Sequence, residues 1–276
     1  VNSDLSLEIY EKIIKKMSSE IDINYPVEYG LPAIHRLIML GNVPFIKILL
    51  DNGMDIEKKI VKEDTKLLAG CSPLFLAVHV GKEYVIRTLV EMGADVNTTS
   101  EKYDSPLILS LYNFNERIFS YLLSNGADFN IKLNTNIEGE NNDMHIIHYA
   151  LQANDPNMIE SLIKAGENIN RIMVSNNPAL NNTTPLMLSV YHRAYKNIIY
   201  MVNNNADINY KNQDGYSALS YAIIKRQKES CEFLLKNGAD ADLVINGQEI
   251  IKTVDDKKIK SLLLNNLRKK KGFIWY

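Results

Sequence analysis

Apolar residues recur along this chain in short bursts at helical spacing, each burst closed by a glycine or an asparagine and followed by a polar turn. The stretch from Gly215 to Asp242 shows the unit most clearly. Gly215 falls where a tight turn needs positive φ, and Ser217 is placed to cap a helix through its opening amides. Ala218, Leu219, Ala222 and Ile223 then recur at three- and four-residue spacing, which predicts one short helix. Cys231, Leu234 and Leu235 give the apolar stripe of a second helix, and Gly238 ends it in the left-handed conformation. The tail Ala239-Asp240-Ala241 leads to the next turn.

The same unit recurs. One copy runs from Gly30-Leu31-Pro32-Ala33-Ile34-His35 to Leu49, Leu50, Gly53 and Asp55; the next opens at Gly70 and closes with Gly93-Ala94-Asp95-Val96-Asn97. A third ends Gly126-Ala127-Asp128-Phe129-Asn130, a fourth Gly166-Glu167-Asn168-Ile169-Asn170, and a fifth Asn205-Ala206-Asp207-Ile208-Asn209. Gly93 and Gly126 stand 33 positions apart, as do Asn205 and Gly238, which fixes the register. In the fourth unit Asp143 stands where a turn glycine is expected, and in the fifth Asn205 replaces the capping glycine. Leu7, Ile9, Ile13, Ile14 and Met17, followed by Ile21-Asp22-Ile23-Asn24, match the back half of a unit. Residues 1–29 therefore read as an N-terminal capping half-repeat and 30–245 as six repeats. Residues 246–276, with Ile250, Ile251, Ile259, Leu262 and Leu263, read as C-terminal cap helices and a basic-aromatic tail.

This unit resembles the ankyrin repeat, whose helix-turn-helix period is about 33 residues and whose first helix opens Thr-Pro-Leu-His. Ser72-Pro73-Leu74-Phe75, Ser105-Pro106-Leu107-Ile108, His145-Ile146-Ile147-His148 and Thr184-Pro185-Leu186-Met187 occupy that place. The resemblance covers nearly the whole chain. It implies an all-α ankyrin-repeat solenoid of about six full helix-turn-helix repeats, with β-hairpin fingers and degenerate terminal caps.

Three spacings break the period. Gly53 to Gly93 and Gly126 to Gly166 are each 40 positions and Gly166 to Asn205 is 39, so Glu57–Ala69, Ile131–Asn142 and Arg171–Asn181 carry insertions. All three fall in the finger of the family's repeat, and such insertions map to loops on one face, often the binding face. The first is lysine-rich and the second carries Glu138 and Glu140 against Lys132, so the two are expected to touch different parts of a partner.

Composition narrows the picture by exclusion. The 276 residues carry a formal net charge of −2, which supplies no overall field for nucleic acid or anionic membrane. Neither partner is expected. No apolar run is long enough to span a bilayer, and the start shows no signal peptide. The chain opens on Val1 rather than Met, which implies a piece of a longer sequence. The two cysteines, Cys71 and Cys231, lie far apart within helical parts and fit small buried thiols of a reducing, cytoplasmic setting. The sequons at Asn97, Asn181 and Asn182 carry no weight without a secretion signal.

No glycine-rich phosphate loop, zinc-ligand motif or nucleophile with a base has usable spacing, so no catalytic residue, cofactor or metal is expected. His145 and His148 could share a helix face and hold a metal. The competing reading is that His148 occupies the family's histidine position and bonds neighbouring turns. Asp255-Asp256 reads as a solvated turn. Arg268-Lys269-Lys270-Lys271, followed by Phe273-Ile274-Trp275-Tyr276, reads either as a basic patch or as a helix C-terminus whose cations complement the dipole.

Ankyrin proteins bind partners through finger tips and the exposed ends of their first helices. Carried over, this implies a protein-binding set at the helix ends: Met39, Leu40, His79, Val80, Tyr112, Asn113, Gln152, Tyr191, His192 and Ile224. On the finger side it implies Tyr29, Leu31, Lys102, Tyr103, Met144 and Tyr216. Tyrosines and aliphatics there exceed what a solenoid needs, and interfaces favour tyrosine.

The asparagine, isoleucine and lysine richness and the irregular repeat lengths resemble ankyrin proteins of large DNA viruses, above all poxviruses. That resemblance implies capture of a host immune or cell-death signalling protein. It further implies a cullin-type ubiquitin ligase recruited through an F-box-like segment, which is not evident after Leu267. An ankyrin effector of an intracellular bacterium and a cellular adaptor are the alternatives. Two further classes compete: an enzyme built across the fingers, and self-association through the repeat ends.

Overall fold

The computed structural model describes residues 2–20, 31–60, 69–100, 105–134, 142–177, 180–245 and 247–270. Tyr29, Lys102, Tyr103, the Ile21–Asn24 segment, most of the first insertion and the Phe273–Tyr276 end lie outside them. Two compact units divide the chain, Val1–Asp128 and Phe129–Tyr276.

In the first unit, α1 (Asn2–Glu20) packs on α3 (Val43–Asp51), the partner of α2 (Ala33–Leu40). The pairs α4 (Pro73–His79) with α5 (Glu83–Glu91) and α6 (Pro106–Tyr112) with α7 (Glu116–Ser124) follow. The first helices of successive pairs stack on one another, α2 on α4 and α4 on α6. Ile34, Ile38, Leu74, Phe75, Ile86, Leu89, Leu107, Leu111 and Phe119 fill the space between them and are fully buried. The second unit holds α8 (Ile146–Ala150), a 3₁₀ turn (Leu151–Ala153), α9 (Pro156–Lys164), α10 (Pro185–Tyr191), α11 (Tyr195–Asn203), α12 (Ala218–Ile224) and α13 (Lys228–Lys236). It closes with α14 (Ile250–Thr253) and α15 (Lys257–Lys270), and α15 packs on α13.

Each short helix is made by its ends as much as by its stripe. The hydroxyls of Ser72, Ser105, Thr184 and Ser217 accept the N–H groups of Phe75, Ile108, Met187 and Ser220 at 3.2–3.4 Å, and proline stands at the first position of α4, α6 and α10. Both features satisfy or remove amides that a helix start leaves orphaned. The second helix of each pair from α3 to α13 ends in a Schellman motif. The N–H of Met54 reaches Leu49 O, and Ala94, Ala127, Ala206 and Ala239 make the same six-to-one bond behind Gly53, Gly93, Gly126, Asn205 and Gly238. Asn205 adopts φ 63°, so asparagine serves for glycine as the sequence implied.

The repeats are joined by one recurrent clip. Asn97 Oδ1 accepts the Asp128 N–H at 2.8 Å while its Nδ2 donates to Gly126 O; Asn209 does the same to Asp240 and Gly238 O. Asn170 accepts the Asp207 N–H, and in the first unit Glu57 takes the asparagine's place by accepting the N–H of Asp95. Asn97, Asn170 and Asn209 are therefore spacers between consecutive turns.

The strands correct two expectations. Asp143 is not in a turn: it lies in β2 (Asn142–His145), extended and paired with Asn134 of β1 (Lys132–Asn134) and Val174 of β3 (Val174–Ser175). No left-handed residue is needed there because the insertion has converted the turn into a strand. The second and third insertions are also not separate fingers, since they build one antiparallel sheet in the order β1-β2-β3. A two-stranded hairpin, β4 (Val244–Ile245) with β5 (Gln248–Glu249), follows α13. It explains Gly215, which has φ 83° and where a Cβ would come within 2.7 Å of Val244 O.

Candidate functional site

The histidines are fixed by the turns. His148 Nδ1 accepts the N–H of His145 at 3.1 Å, so its Nε2 carries the proton and donates to Arg171 O at 2.8 Å. Both nitrogens are engaged, and the imidazole joins neighbouring turns. The line continues to Glu167, which is buried at the position held by Ala94, Ala127, Ala206 and Ala239 in four other repeats and accepts from Arg171 Nε and its neighbour Asn168 N–H, both at 2.6 Å. Among the described residues no His, Cys, Asp and Glu cluster could hold a metal. Cys71 and Cys231 are free and buried, and burial pushes their thiols up to about 11 and 12.

The predicted helix-end residues fall at the C-terminal ends of the first helices. Met39 and Leu40 close α2, His79 and Val80 close α4, Tyr112 and Asn113 close α6, Tyr191 and His192 close α10, and Ile224 closes α12. Gln152 lies in the 3₁₀ turn after α8. Leu40 is 75% exposed, Met39 48% and Ile224 52%, and Val80 and Tyr112 are also exposed. Leu31 and Met144 are half-buried.

Behind each helix end stands one left-handed residue. It is Gly41 and Gly81 in the first two pairs but Phe114, Asn154, Arg193 and Arg226 in the next four, with φ between 47° and 59° for these four. Sequence reading missed this position, although Phe114, Arg193 and Arg226 each stand at the place that Gly41 and Gly81 mark.

In the second unit the predicted residues form a cluster. Tyr191 meets His192 edge-on at 5.4 Å and Tyr221 at 6.1 Å, and Tyr216 stacks on Tyr221 at 5.5 Å. Lys225 Nζ lies 3.9 Å above the Tyr191 ring, and Arg193 Nη2 donates to Lys225 O at 3.1 Å. Burial, reinforced by Tyr216, Tyr191 and Asp214, pushes the Tyr221 hydroxyl up to about 12, so it stays a neutral phenol. Tyr221 was absent from the sequence set. The signal was present: it stands three residues before Ile224 and four before Lys225, on the same helix face. Within the first unit the predicted Met39, Leu40, Val80 and Tyr112 are apolar and exposed, as is Phe114, which the prediction did not include.

Stacked helix pairs with Schellman ends, asparagine clips and an outward ledge of helix ends define a helical-repeat scaffold. The family pattern described as ankyrin repeats (3 copies) matches residues 5–100 and 147–245, and the chain belongs to the ankyrin-repeat family. The crystal structure of the Bcl-3 ankyrin repeat domain superposes with a TM-score of 0.65 at 18% identity, covering 86% of this chain and 100% of that one. Variola virus ankyrin repeat protein OPG189 is 22% identical over 79% of this chain and 42% of its own length. The Legionella pneumophila phosphocholine transferase AnkX is 22% identical over 74% of this chain and 22% of its own. The chain thus spans less than half the length of these curated relatives, and the enzymatic part of AnkX is not matched. Among the described residues no helix is long and apolar enough to cross a membrane.

Proposed function

We propose that this chain is a non-enzymatic scaffold that captures another protein on its helix-end ledges. The observation that carries the reading is the exposure of Met39, Leu40, Val80, Tyr112 and Ile224 at turn positions that the fold itself leaves free to be small or polar. The partner we infer is a host immune or cell-death signalling protein, held in the cytoplasm for sequestration or for delivery to a cullin-type ubiquitin ligase. The variola relative supports the viral setting. The AnkX relative favours a second setting, an effector of an intracellular bacterium, with the same ledges in use.

A photo-crosslinking amino acid placed at Tyr112 or Tyr191 tests the ledges, with Tyr84 on the outer helix α5 as control. A single protein crosslinked from host lysate by both ledge sites and not by Tyr84 supports the reading. Capture by Tyr84 alone, or by none of the three, overturns it.

A further inference from the structure

We infer that the ledge of residues 191–196 and 224–228 docks an acidic segment of a partner protein. This deepens the scaffold reading above and rests on it. The two stretches carry Arg193, Lys196, Lys225, Arg226 and Lys228 beside His192, and neither contains a carboxylate. In a chain of net charge −2 that is a local excess of one sign.

Carboxylates from neighbouring positions account for part of it. Glu232 pairs with Lys228 at 3.3 Å, Asp256 feels Arg226, and Asp214 lies near Tyr221. Among the described residues, Arg193, Lys196 and Lys225 keep no carboxylate partner. The geometry of Lys225 and Arg193 is set in advance. Lys225 is held over the Tyr191 ring at 3.9 Å, a cation–π contact that fixes the ammonium on the ledge rather than in free solvent. Arg193 is anchored through one guanidinium nitrogen on Lys225 O, and the remaining donors of an exposed side chain can take a carboxylate in the two-bond mode.

Backbone strain is the independent observation. Arg193 and Arg226 occupy left-handed positions, at φ 59° and 54°, where Gly41 and Gly81 serve in other repeats of this chain. A side chain there is disfavoured relative to glycine, so the arginines are held at sites where glycine would fold more easily. The bond to Lys225 O and the attraction to Asp256 offset part of that cost, and the remaining guanidinium donors of both exposed side chains face the surface.

The same aromatic cluster argues for polypeptide over nucleic acid. Single strands bind by stacking bases on free ring faces. Here Lys225 covers Tyr191, while Tyr216 and Tyr221 stack on each other. What the ledge offers is fixed cations next to the apolar Ile224, which suits an acidic segment carrying an aliphatic residue.

The experiment titrates the chain into three fluorescein-labelled probes of equal length: a peptide alternating Glu and Gly with a central Leu, its counterpart with Lys for Glu, and oligothymidylate. The Glu peptide is expected to bind, to weaken as salt rises, and to lose about tenfold in affinity for Lys196→Glu with Lys225→Glu. Lys225→Arg should retain binding, with circular dichroism confirming the fold of every variant. Binding of no probe, tighter binding of oligothymidylate, or equal binding by the double variant overturns the acidic-segment inference. Because the crosslinking test uses no defined peptide, a captured partner with a silent Glu peptide would reject this inference alone.

Discussion

Pro32 stands three residues before His35 and has no N–H to give it. In α8 the corresponding amide, that of His145, is accepted by His148 Nδ1, and in α12 the amide of Ser217 is accepted by Ser220 Oγ at 2.7 Å. His35 Nε2 reaches Cys71 O at 3.2 Å, but its Nδ1 is buried without a partner. Replacing Pro32 by Ser supplies both the missing donor and a capping hydroxyl. The variant should be more stable by about 1 kcal/mol in urea unfolding, after allowing for the lost rigidity of proline.

The same imidazole makes the first unit acid-sensitive. Burial, opposed in part by the bond to Cys71 O, lowers the His35 pKa to about 4, below the 6.5 of the unfolded chain. Between those values the unfolded state binds the proton and the folded state does not, so stability falls as pH drops. Its contribution is complete above 6.5 and declines by about 2 kcal/mol on reaching pH 5. Unfolding free energies from urea titrations of the wild type should fall by that amount between pH 7 and pH 5, with His35→Gln showing the flatter dependence.

Phe114 and Arg226 test the strain directly. Phe114→Gly and Arg226→Gly should each raise stability by about 0.5 to 1 kcal/mol, since glycine adopts their φ without a Cβ clash but orders a freer chain. Arg193→Gly should gain less because its bond to Lys225 O is lost. Differential scanning calorimetry reads all three.

The asparagine clips should be interchangeable in energy. Asn97→Ala and Asn209→Ala each remove an acceptor for an aspartate N–H at 2.8 Å and a donor to a glycine carbonyl. Each should cost about 1 to 2 kcal/mol, and the two losses should agree closely in denaturant titrations.

How far the sequence could be read depended on the range of the interaction. Caps, Schellman glycines and stripes are local, and Ser217, Asn205 and Gly238 all fall where their neighbours placed them. The role of His148 followed from its motif position. Asp143 was misread because its partners, Asn134 and Val174, lie outside its own repeat. Tyr221 was passed over because a tyrosine inside an apolar helix counts as core, and only its contacts with Tyr191 and Tyr216 tie it to the surface. The sheet also changes what trimming should do. Shortening Ile131–Asn142 removes β1 from β2, so a lower melting temperature is expected where drifting loops would have left it unchanged.

The register Asp143↔Val174 bears on how the second unit assembles. Helices α8 and α9 both lie between the two paired residues, so β3 can close on β2 only after that helix pair has docked and brought the chain back. The β1–β2 hairpin needs no such delay, because its strands are near in sequence. A chain emerging from the ribosome would therefore present β2 with one edge satisfied and one edge waiting. Hydrogen exchange pulsed during refolding should protect the β1–β2 amides first and those of Val174 and Ser175 last, which makes β3 the latch that reports completion of the α8–α9 repeat.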